Sequence, residues 1–267
     1  MRTQLFRLFS FSLFVALLFS SSVGHATAQS SPALASGKIF LPCIFNTCGP
    51  LFTDDFSDPA SGWLIENYPE YSTAYLNGEY QILLKAQDYM AFNWIDFGAS
   101  DYRVEVDARP AGHLDGGVGL IFGGTDSGFY LFELSNGGYA LWRIESGPWI
   151  WTTLIDWTDS TAINSGSLPN RLKVVREGAS IALYANDQLL TTVSDSTYTG
   201  SLLGVEAGTV PVDFDGRFDN FAVYTGTCIN APAAGLASDR AVPFVNNGTK
   251  HRASPYGVLD MAGNMDE

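Results

Sequence analysis

Positive charge is scarce in this chain. Fourteen Lys and Arg stand against 28 Asp and Glu, and charged residues of both signs make up only 16% of the 267 positions. A surface so poor in cations repels phosphate backbones and gains nothing from counterion release, which excludes nucleic acid as a partner. Histidine is scarcer still. His25, His113 and His251 are scattered and none neighbours a cysteine, so no zinc site of ordinary spacing can be written. Only one apolar run is long, residues 8–19. It falls short of the roughly 20 residues that a spanning helix needs, and nothing later approaches it, so no membrane span is expected once that run is removed. Helical spacing of apolar residues is not sustained anywhere, and no fixed-period repeat appears, which argues against helix bundles and propellers.

What stands at the start is the layout of a secretory signal: Arg2 and Arg7, the apolar run, then Ala26-Thr27-Ala28. Residues 1–28 are read as the signal peptide, cleaved after Ala28, which makes the protein secreted and extracellular. Cleavage leaves 12 Lys and Arg against 28 Asp and Glu, a net charge of −16. Residues 29–50, rich in small residues, Pro and Gly, read as a linker. Cys43 lies well past the apolar run without small residues just before it, which does not make a lipoprotein site. In an oxidising compartment one pair among Cys43, Cys48 and Cys228 can close. The pair is either local, Cys43 with Cys48, or ties the start of the domain to its end through Cys228. One thiol is left over.

From residue 51 to 225 short strand-like runs alternate with turn residues. "DYRVEVDARP" places Tyr102, Val104, Val106 and Ala108 on one face and Arg103, Glu105, Asp107 and Arg109 on the other. Asn77-Gly78, Gly137-Gly138, Glu177-Gly178 and Asn186-Asp187 supply turns. The expected fold is all-β: an antiparallel two-sheet jelly-roll sandwich spanning residues 51–225. Residues 226–252 are Ala-, Asn- and Pro-rich without periodicity and read as a linker, the start of a disordered tail.

The stretches "LFTDDFSDPASGW", "GGVGLIFGGTDSGFYLFELSNGGYALWR", "NRLKVVREGASIALYANDQLL" and "FDNFAVY" together resemble the concanavalin A-like lectin/glucanase superfamily, most nearly its laminin-G-like and keto-disaccharide-hydrolase-like sandwiches. The resemblance implies a fold shared by glycosidases, carbohydrate-binding modules and adhesion modules. Laminarinase-like members carry Glu-x-Asp-x-Glu or Glu-x-Asp-x-x-Glu on one strand. Here the nearest match is Glu105-Val-Asp107-Ala-Arg109-Pro110, where Arg109 or Pro110 stands in place of the second Glu. Catalytic residues are therefore not assigned, and the chain is read as a non-catalytic module for carbohydrate or another extracellular ligand, a glycan or extracellular polymer.

Aromatic residues carry that reading. "SGPWIWTTLIDW" sets Trp149, Trp151 and Trp157 near one another, and their rings can stack on sugar faces while Tyr130, Arg143 and Asp126 add hydrogen bonds. A structural Ca²⁺ is the one cofactor considered. Asp54 and Asp55 near the first strand, with Asp213, Asp215, Asp219 and Asn220 near the last, would clip the sandwich where those strands pair.

The chain ends on "SPYGVLDMAGNMDE", residues 254–267, which is similar to the "PYG-x-x-DM-x-GN-x-x-EW" signature of formylglycine-generating enzymes, or sulfatase-modifying factors. The Cys pair of that family's chemistry follows the signature, and no residue follows Glu267 here. Residues 253–267 are accordingly read as a truncated fragment of such a domain, and a spacer in front of it is a third reading of the sandwich.

Overall fold

Alternation along a strand buries one face only if a second layer covers it, and here it does. Tyr102, Val104, Val106 and Ala108 are all buried in one large core, and the polar residues between them point the other way. The computed structural model describes residues 48–209 and 213–231. The signal at 1–28, Cys43 and the signature at 253–267 lie outside these residues.

The chain first forms β1 (Phe52–Asp54), β2 (Glu66–Asn67), β3 (Tyr71–Leu76), β4 (Glu79–Leu84) and β5 (Tyr89–Asp96). There follow β6 (Tyr102–Pro110), β7 (Gly116–Thr125), β8 (Gly128–Ser135), β9 (Gly138–Glu145) and β10 (Ile150–Asp159). The series closes with β11 (Asn170–Glu177), β12 (Ser180–Ala185), β13 (Gln188–Ser194), β14 (Leu202–Thr209) and β15 (Phe214–Tyr224), then one 3-10 turn, Gly226–Cys228. Two antiparallel sheets result. One runs β13-β12-β11-β6-β15-β4-β3-β2, with β1 also on β15, and the other runs β10-β9-β8-β7-β14-β5. Non-consecutive neighbours such as β6 with β15 and β7 with β14 make this a jelly-roll sandwich rather than a meander. Among the described residues no helix is long and apolar enough to cross a membrane.

The hairpin turns obey backbone sterics. Asn77 and Gly78 (φ 58° and 79°) join β3 to β4, and Asn186 and Asp187 (φ 50° and 64°) join β12 to β13, as the tight turn with two left-handed residues requires. Two expected turns shift by one residue. Asn136 and Gly137 (φ 43° and 90°) take the turn expected at Gly137-Gly138, because Gly138 already pairs with Ser135. Glu177 likewise pairs with Ser180, which moves that turn to Gly178-Ala179.

The ends of the sandwich meet. β1 lies antiparallel to β15, with Asp54 opposite Phe221. Just outside this pairing Cys48 is bonded to Cys228, Cα to Cα 4.9 Å, across 180 residues. Of the pairings open to the sequence, this one ties start to end. The segment from 226, expected to open a linker, is held against the sandwich as far as Ala231. Arg103 lies 3.7 Å over the Tyr224 ring and donates to the carbonyls of Ile229 and Ala231.

Candidate functional site

The six-stranded sheet is apolar on both faces, which a two-layer sandwich does not require. Tyr130, Phe132 and Leu134 of β8 enter the core between the sheets, while Phe129 and Leu131 belong to a second apolar cluster on the opposite face. That cluster draws Met90 and Phe92 from β5, Ile121 from β7, and Ala140, Trp142 and Ile144 from β9. Trp94, Trp149 and Trp151, partly buried, pack against it. Trp142 takes Trp151 and Trp157 edge-on at 5.5 and 5.4 Å between ring centroids, and Trp149 lies 6.4 Å from both Phe92 and Phe129.

Two carboxyl groups sit in this aromatic setting. Antiparallel register places Phe92, Glu206, Gly119, Glu133 and Ala140 in one row across β5, β14, β7, β8 and β9. Glu206 and Glu133 thus flank a glycine strand, their Cα atoms about 10 Å apart, two strand spacings. Both side chains lean over β7, which only glycine permits. A methyl group on Gly117 would overlap the Glu133 carboxyl, and one on Gly119 would lie 2.7 Å from Glu206 Oε2.

Glu133 and Glu206 are 1% and 0% exposed, and none of their four carboxyl oxygens has a hydrogen-bond partner. Buried polar atoms are nearly always paired, so four orphans on one face call for an explanation. The Trp151 indole N–H is buried without an acceptor as well. Burial pushes the carboxyl group of Glu133 well above the ordinary range. Burial does the same to Glu206, and the nearby Glu133 raises it further.

The residues expected at a binding site divide. Trp149, Trp151 and Trp157 come together on the second apolar face, but Tyr130 and Arg143 turn away from it. Tyr130 is fully buried on the core side and donates to Asp195 Oδ1 at 2.5 Å, and Arg143 Nη1 donates to Asp195 Oδ2 at 2.6 Å. Asp126 sits exposed in the turn between β7 and β8.

The aspartates considered for calcium do not converge. Asp54 accepts from Phe56 N and Trp63 Nε1, Asp55 from Ser57, Asp215 from Arg217 and Gln81, and Asp219 from Asn220 N. Among the described residues no three Asp, Glu, His or Cys side chains cluster closely enough to hold a metal ion. Glu105 and Asp107 lie on the nine-stranded sheet, where Asp107 is gripped by both arms of Arg171 at 2.8 and 2.9 Å.

Sequence reasoning passed over Glu133, Glu206, Trp142, Trp94 and Phe92. A signal existed: "GFYLFELS" is apolar at both parities, so both faces of β8 must be covered, and its one acid falls on the outward set.

Together these features define an antiparallel jelly-roll sandwich with an aromatic, carboxylate-bearing outer face. No family model matches the chain, and no curated protein matches it. Among solved structures it is similar to a β-glucanase from Bacillus licheniformis, at 15% identity and TM-score 0.48, over 67% of this chain and 99% of that one. It is also similar to the carbohydrate binding module CBM66 from Bacillus subtilis, at 19% identity and TM-score 0.41, over 62% of this chain and 93% of that one. A third is a Bacillus subtilis protein of unknown function with a galectin-like fold, at 12% identity and TM-score 0.48, over 66% and 96%. At these identities and scores no function is carried across.

Proposed function

We propose that this is a secreted, non-catalytic module that binds carbohydrate on the outer face of its six-stranded sheet. The observation that carries the reading is the conjunction of Trp142, Trp149, Trp151 and Trp157 with five buried polar atoms lacking partners, four carboxyl oxygens and an indole N–H. Sugars offer the complement to both, an apolar ring face for the indoles and hydroxyl groups for the orphans. Entry has to shift the rings at the rim, since the carboxyl groups themselves are covered. The test is calorimetric titration with a panel of neutral and amino-substituted oligosaccharides. Trp151→Ala and Trp142→Ala should each weaken binding about tenfold or more. Affinity unchanged by both substitutions removes the reading. Export is tested by N-terminal sequencing of the protein recovered from medium, expected to begin after Ala28.

One observation favours a second reading, glycoside hydrolysis. Glu133 and Glu206 stand in one register row on this face, and glycoside cleavage is carried out by such a pair of carboxyl groups. In that case Glu133→Gln or Glu206→Gln abolishes turnover of a bound oligosaccharide, whereas a pure binding module shows no turnover at all.

A further inference from the structure

Resting on the carbohydrate-binding reading, we propose that the ligand carries a positively charged amino group, as an amino sugar does, and that Glu133 and Glu206 receive it together across Gly119. The first ground is the absence of any internal counter-ion. Of the lysines and arginines among the described residues, only Arg143 belongs to the six-stranded sheet, and it is turned to Asp195. The other buried acids among the described residues are satisfied: Asp54 accepts from Phe56 N and Trp63 Nε1, and Glu105 lies 3.9 Å from Arg103 Nε. The exception is the most deeply buried pair of all.

The second ground is placement. Register sets the two carboxyl groups in one row, and the glycines beneath give them room to lean toward β7 from either side. An ammonium group between them finds acceptors on both sides, where a single neutral hydroxyl could engage only one. The third ground is the aromatic surround. Phe92 stands directly beside Glu206 in the row, and Trp142, Trp149 and Trp151 pack on the same outward face, where aromatic rings favour a cation. A chain with 14 Lys and Arg against 28 Asp and Glu also draws cationic ligands toward it.

The experiment is calorimetric binding of three probes to the full chain: a glucosamine tetramer, its fully N-acetylated counterpart and a glucose tetramer. The glucosamine tetramer is expected to bind about tenfold or more tightly than either neutral probe near neutral pH, its ammonium groups displacing protons that the buried pair otherwise holds. The Glu133→Gln/Glu206→Gln double variant should lose that preference, binding the glucosamine tetramer no more tightly than the N-acetylated and glucose tetramers. Equal affinity for all three probes in the unmodified chain overturns this inference and leaves carbohydrate binding standing. Binding of none of the three overturns both. The comparison among probes needs no variant, so a misfolded double variant does not obscure the outcome.

Discussion

Glu206 and Glu133 face each other across Gly119, buried, without hydrogen-bond partners and on a sheet where no cation turns toward them. Stability should therefore depend on pH in a direction opposite to that of most acids. Unfolded, each carboxyl group titrates near its ordinary 4.5; folded, Glu133 is pushed up to about 8 and Glu206 is raised as well. Between these values the folded state holds protons that the unfolded state has released, so unfolding becomes easier as pH rises. The melting temperature is expected to be higher at about pH 5 than at about pH 8.5, with a slope of at most about 1.4 kcal/mol per pH unit for each proton. Thermal melts of the Glu133→Gln/Glu206→Gln variant should be flatter over the same range. A protein that grows more stable from pH 5 to 8.5 contradicts the description of this pair.

Gly119→Ala should destabilise the fold although it adds one carbon. The new methyl meets Glu206 Oε2 and Leu131 Cδ1, each at 2.7 Å. A cost of about 1–3 kcal/mol in denaturant unfolding is expected for such overpacking. Combining it with Glu206→Ala should recover part of that loss, since the obstructing carboxyl group is gone.

Asp195 behaves in the ordinary sense. Burial pushes its carboxyl group up, but hydrogen bonds from Tyr130, Thr197 and Arg143 outweigh this and hold it at about 2. Its stabilising effect is complete above its unfolded value of 3.8 and is lost as pH falls through about 2. Arg143→Ala should lower the melting temperature at neutral pH and leave oligosaccharide affinity unchanged, because Arg143 is spent on Asp195. A loss of affinity without a loss of stability would return Arg143 to the ligand.

Serine at both Cys48 and Cys228 should cost about 2–5 kcal/mol, the range for removing a native bridge, and reductant should reproduce the effect in the unmodified chain. Chelator, by contrast, should leave the melting temperature unmoved. Asp54, Asp55, Asp215 and Asp219 are each satisfied by separate protein donors.

How far the fold was legible depended on where its rules are local. Strict alternation in β6 and the Asn77-Gly78 turn needed no partner to be understood, and the jelly roll followed from many such segments. The pairing of first and last strands was legible too, from the acids at both ends, although those acids serve turns and ion pairs. The carboxylate row was not legible. Glu133 and Glu206 are 73 positions apart in sequence, and only the antiparallel register of β7 with β8 and β14 brings them to either side of one glycine. Tyr130 and Arg143 misled for a related reason. They alternate with the outward residues of β8 and β9, and one step along a strand reverses the face.

The covalent tie between Cys48 and Cys228 also decides how the domain bears mechanical load. Tension entering the chain before Cys48 and leaving after Cys228 crosses the 4.9 Å between their Cα atoms through the bridge itself. The sandwich between them then hangs beside the line of force, shielded from shear, and keeps its outer face intact while the chain is pulled.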